Sequence, residues 1–164
     1  MSESILIDSL EFAREKRSLS GEVPVSALTR THESLLNDSG TIRYSLLGGQ
    51  DIRERATLAL HVSGSVVLLC QRCLQPLTET IDSQSVLTQF ADEQAIEIAS
   101  EEDPELEGIV ADKRLDVLAL IEDEILLSLP VSPKHESCGP AVADEKPAGK
   151  PNPFAVLKQL KQSN

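Results

Sequence analysis

Apolar and polar positions alternate most regularly in the middle of the chain. Leu58, Leu60, Val62, Gly64, Val66 and Leu68 share one register, and Thr57, Ala59, His61, Ser63 and Ser65 occupy the other. A period of two puts successive side chains on opposite faces of a strand, so this run predicts one long half-buried strand, or two in a row, with a bulge or bend at Gly64. His61 falls on the polar face and reads as a solvated strand residue. Upstream, Ile42, Tyr44 and Leu46 alternate with Arg43, Ser45 and Leu47 as far as Gly48 and Gly49, which predicts a strand closed by a turn. Downstream, Leu77 to Phe90 after Pro76 reads as another strand, and the implied unit is an antiparallel sheet.

Helical spacing flanks this block. Asp8 and Glu11 have capping-box spacing ahead of Phe12 and Ala13, which predicts a short helix over about residues 9–17. Ser26 can cap a second helix within residues 24–37, where Leu28, Leu35 and Leu36 lie near one side. Asp116 is placed to cap a third, in which Val117, Leu118, Leu120, Ile121, Ile125 and Leu126 recur until Pro130 stops it. Its apolar face is expected to pack on the sheet. Residues 92–114, with a short Ile96 and Ile98 alternation, Pro104 and Gly108, read as a surface excursion. The six prolines of residues 130–153, without periodicity, predict an extended arm. Asn152 and Pro153 then open a short amphipathic, basic helix carrying Phe154, Leu157 and Leu160, with Lys158 and Lys161 on other faces. The fold class expected is α+β: a largely antiparallel sheet packed by a few helices in one domain over residues 1–130, followed by the arm and terminal helix of residues 131–164.

Composition changes this picture in two ways. Only 2% of the 164 residues are aromatic and none is Trp, so the core must be aliphatic. The formal charge is -12 and it is regional: residues 92–145 carry 16 acids and 3 bases, whereas residues 146–164 carry 4 bases and no acid. Nucleic acid repels such a middle segment, so sequence-blind phosphate binding is not expected as the main activity. The acidic block reads as solvated surface, with nucleic-acid mimicry or attraction of basic partners as the competing reading. No apolar run reaches membrane-span length and the start lacks the basic region of a secretory signal, which predicts a cytoplasmic protein.

The chemistry-bearing residues are few. Cys70 and Cys73 form C-x-x-C at a strand end, and His135 and Cys138 form H-x-x-C in the arm. Together they offer the four ligands of a closed structural zinc site, provided that the fold brings together two halves separated by 61 residues. The alternative is a buried Cys70 with Cys73 an incidental thiol. Glu122, Asp123 and Glu124 suggest a metal-dependent nuclease, but consecutive helical residues point about 100 degrees apart. A solvated helix face is the expected role. No phosphate-binding glycine loop, nucleophile elbow or H-E-x-x-H occurs, and no catalytic residue is expected.

Three segments together resemble the bacterial YceD family, the large ribosomal RNA subunit accumulation proteins: CQRCLQPL from Cys70, IEDEILLSLPVSPKH from Ile121, and PNPFAVLKQLK from Pro151. The resemblance implies a non-enzymatic factor in ribosome biogenesis, affecting synthesis, processing or stability of large-subunit ribosomal RNA. Its partner is expected to be a ribosome-assembly protein or pre-ribosomal particle, with RNA contact indirect. A ribonuclease maturing ribosomal RNA and a zinc-stabilised regulatory module are the competing readings. Some relatives are richer in cysteine after the proline run, so this branch either retains a four-ligand site or has lost the metal.

Overall fold

The structure is a computed structural model in which residues 4–139 are described. Strand β1 (Leu6–Ile7) leads into helix α1 (Ser9–Arg14), whose N-cap Asp8 accepts a hydrogen bond from the Glu11 amide at 3.0 Å, as the capping-box spacing predicts. Strands β2 (Ser18–Pro24), β3 (Thr41–Gln50), β4 (Ala56–Leu69) and β5 (Pro76–Phe90) form consecutive antiparallel ladders. Helix α2 (Glu93–Glu102) then returns the chain to strand β6 (Glu107–Val110), which joins the sheet parallel to β5. Strand β7 (Leu115–Asp116) pairs with β1, and helix α3 (Val117–Ser128) follows directly. The large sheet has the order β2-β3-β4-β5-β6, and the architecture is α+β.

One face of this sheet carries the core. Ile42, Tyr44 and Leu46 of β3 lie beside Leu60, Val62 and Gly64 of β4, and Leu58, Val66 and Leu68 complete the β4 row. These residues pack under Phe12 and Ala13 of α1 and Val117, Leu118, Ile121 and Ile125 of α3. Phe12 and Tyr44 are the aromatic members of a core otherwise aliphatic, as the composition requires. The opposite face is polar. Its His61 is exposed and hydrogen-bonds the exposed Asp82 across the strands at 2.8 Å.

The structure corrects three expectations and gives the surface excursion of residues 92–114 its form. Residues 24–37 are not an α-helix: β2 ends at Pro24, and the chain continues through 3-10 turns at Val25–Ala27 and Thr29–Thr31. The leucine spacing there reflects separate inward contacts, with Leu28 fully buried, and not one helical stripe. Gly48 and Gly49 lie inside β3, and the turn falls at residues 51–55, where Asp51 accepts bonds from the Arg53 and Arg55 amides at 2.8 and 2.9 Å. Gly48 is needed because a Cβ there would lie 2.3 Å from the Phe12 carbonyl oxygen. Gly64 sits in an unbroken ladder without a bulge; a Cβ would come within 2.8 Å of the Thr41 carbonyl oxygen, so the glycine serves close strand approach. Residues 92–114 are an ordered α2-β6 unit, in which Asp92 caps the helix through the Ala95 amide at 2.8 Å. A helix of ten residues with none buried leaves too little apolar pattern for a sequence reading to find.

The third helix is as expected, with Asp116 at its N-cap bonded to the Leu118 amide at 3.0 Å. The terminal helix expected after Asn152 lies outside the described residues. No described helix is long and apolar enough to cross a membrane.

Candidate metal centre

The end of β4 and the start of β5 are joined by a tight loop built on Cys70. The Leu74 amide donates to the Cys70 carbonyl and the Cys70 amide to the Gln75 carbonyl, both at 3.0 Å, and Leu74 takes φ 58. Such a loop folds the chain back around the Cys70 sulfur, bringing Cys73 to the same side. The segment after α3 is fastened against it: the Gln71 amide donates to the Pro133 carbonyl at 2.8 Å and Arg72 Nη2 to the His135 carbonyl at 2.7 Å.

These contacts bring both halves of the sequence-predicted site together. The ligand atoms of Cys70, Cys73, His135 and Cys138 all lie within 4.8 Å of one another. Cys70 Sγ is 3.7 Å from Cys138 Sγ, and Cys73 Sγ is 3.3 Å from His135 Nδ1. For tetrahedral zinc with bonds of about 2.3 Å to sulfur and about 2.05 Å to nitrogen, those edges should be roughly 3.8 and 3.6 Å. The donor set and its spacing therefore fit a four-coordinate ion. The three cysteines are free thiols.

The surroundings also suit a metal. His135 Nε2 is 3.0 Å from the Pro76 carbonyl oxygen, an acceptor only, so Nε2 carries the hydrogen and the Nδ1 lone pair faces the sulfurs. Arg72 Nε donates to Cys138 Sγ at 3.1 Å. Three thiolates, a neutral imidazole and a divalent cation sum to -1, which the Arg72 guanidinium cancels. Burial pushes the Cys70 thiol up, but backbone hydrogen bonds from Cys73, His135 and Arg72 outweigh it and bring its pKa to about 5. Arg72 lowers that of Cys138, whereas burial and the neighbouring Cys70 and Cys138 sulfurs raise that of Cys73. The pKa of His135 is raised by its hydrogen bonds to Cys138 and Cys70. Arg72 was not among the expected site residues; its place between the two C-x-x-C ligands was the available signal.

The acidic trio on α3 behaves differently from the expectation of a solvated face. Glu122 is buried and accepts from the Arg30 amide at 2.9 Å, while Asp123 pairs with Arg30 Nη2 at 2.6 Å. Glu124 accepts from the Ser83 and Ser85 hydroxyls, the latter at 2.7 Å. Glu122 and Asp123 thus share Arg30 while Glu124 turns to β5, so the trio ties α3 both to the 3-10 turn and to the sheet.

A family model described as "Large ribosomal RNA subunit accumulation protein YceD" matches residues 58–161, a span holding all four ligands. The chain belongs to the YceD family. A relative from Haemophilus influenzae, named "Large ribosomal RNA subunit accumulation protein YceD", is 30% identical over 171 residues, covering 96% of this chain and 95% of its own length. No solved structure matches. Family membership confirms the resemblance carried by the CQRCLQPL, IEDEILLSLPVSPKH and PNPFAVLKQLK segments.

Proposed function

We propose that this member of the YceD family is a cytoplasmic, non-enzymatic factor supporting accumulation of large-subunit ribosomal RNA, acting through a protein or pre-ribosomal partner, with one structural zinc held by Cys70, Cys73, His135 and Cys138. The family match carries the pathway, and the convergence of four ligands from two distant segments carries the metal. Zinc is favoured over harder cations because three sulfurs and an imidazole suit a borderline-soft ion. All four positions are protein ligands, so the ion closes a loop and leaves no coordination place for a substrate water. Its role is to lock the segment ending at Gly139 onto the end of the sheet.

The partner-mediated reading rests on charge. A chain of formal charge -12, with its acids concentrated in residues 92–145, is repelled by RNA phosphates. The test is a deletion strain, in which mature large-subunit RNA should fall relative to small-subunit RNA and be restored by this chain. An unchanged ratio with normal ribosome profiles overturns the pathway. Incubation of purified protein with precursor ribosomal RNA and magnesium should leave the RNA intact; cleavage would support the ribonuclease reading instead.

A further inference from the structure

The sheet covers only part of the apolar surface of α3. Leu127 is 85% exposed, and with Leu120 it forms one wall of an open groove completed by Leu60, Leu87 and Ile109. The groove encloses about 230 Å³. Its rim is acidic, formed by Glu107, Asp123 and Glu124. Arg30 neutralises Asp123, but among the described residues neither Glu107 nor Glu124 is paired with a cation. An apolar groove with an acidic rim suits apolar side chains at helical spacing, flanked by basic ones.

The same chain contains such a segment. Phe154, Leu157 and Leu160 recur at i, i+3 and i+6; on a helix Lys158 would flank that stripe and Lys161 would stand one turn beyond Leu157 at its C-terminal end, and residues 146–164 hold four bases without an acid. Reach is sufficient. His135 and Cys138 sit beside Cys70 at the end of β4, and Leu60 lies ten residues back along that strand, roughly 33 Å at the usual strand rise. Residues 140–153 number fourteen and extend to about 46 Å. A helix too short to persist alone gains from tethering, which holds the segment at an effective concentration in the millimolar range.

We propose that residues 153–161 dock in this groove of their own chain, with Phe154, Leu157 and Leu160 turned inward and Lys158 and Lys161 against the Glu107 and Glu124 rim. The test places a photoreactive residue on the groove wall of the full chain, Leu127→p-benzoylphenylalanine, at a position exposed enough to accept it. Irradiation at low protein concentration should join position 127 to a peptide within residues 151–161 of the same chain. The yield should exceed by at least fivefold that of Ile52→p-benzoylphenylalanine, since Ile52 is fully exposed on the β3–β4 turn. Combining K158E with K161E should lower the yield severalfold. Equal yields from positions 127 and 52, cross-links joining two chains, or capture of another protein with none to residues 151–161 would each overturn the proposal.

Discussion

Gly48 and Asp51 show how much a single residue near the β3–β4 turn decides. A Cβ on Gly48 would lie 2.3 Å from the Phe12 carbonyl oxygen and 2.8 Å from the Ala13 Cα, both backbone atoms, so α1 would have to lift from β3. Overpacking of this kind costs about 1–3 kcal/mol. Gly48→Ala should therefore lower the unfolding free energy by about 2 kcal/mol in denaturant titration. Gly49→Ala meets only the Thr57 hydroxyl at 3.3 Å and should cost far less. Sequence reading treats adjacent glycines as a turn because the chain records their flexibility but not which backbone approaches them. Asp51 makes the actual turn: burial raises its pKa, but the Arg55 and Arg53 amides and the Arg55 guanidinium bring it below 3.8. A carboxylate held low adds stability that is complete above 3.8 and is lost as pH falls through its folded value. Asp51→Asn should accordingly cost about 1 kcal/mol at pH 7, and the gap from the parent protein should close as pH drops below 3.8 in pH-dependent unfolding.

At the scale of elements, legibility follows pattern strength. The β4 strand and α3 were readable because burial imposes a strict period on each, and their caps and stops are chemically distinct. The α2-β6 unit was not, since α2 buries no residue fully and β6 is four residues long. β2 escaped for a related reason: only Val23 among its residues is buried. The four side chains of the candidate metal site were legible as two pairs, but sequence spacing could not show that the segment after α3 folds back onto the β4–β5 loop. That return makes the site an element in its own right, and metal removal tests it. The purified protein should contain close to one zinc per chain, and chelation should speed hydrogen exchange at the Gln71 and Leu74 amides, which bond to Pro133 and Cys70. Cys73→Ser should lower metal content and melting temperature together, because metal affinity adds directly to stability. Arg72→Met keeps all four ligands but removes the compensating charge and the bond to Cys138. It should weaken zinc retention by about 10-fold or more in competition with a chelator. Full zinc content in Cys73→Ser would exclude the four-ligand site.

On the scale of the molecule, the chain carries two blocks of opposite charge. Residues 92–145 hold 16 acids against 3 bases, and residues 146–164 hold bases alone. Among the described residues, the large sheet, α1 and α3 enclose an aliphatic core, and the four clustered Cys and His side chains all precede residue 140. A short segment docked on the outer side of α3 would cover the groove but add little to the core enclosed between the sheet, α1 and α3. A chain ending at Lys150 is therefore expected to keep its zinc and melt within a few degrees of the full protein. The family match, however, continues to residue 161, so the missing segment belongs to what the family shares. If its contribution is recognition and not folding, the truncated chain should fail to restore the ratio of large- to small-subunit ribosomal RNA in a deletion strain despite normal abundance. Unfolding or aggregation on truncation would instead place residues 151–164 in the stabilising core. Restoration of the RNA ratio by the truncated chain would confine the activity to residues 1–150.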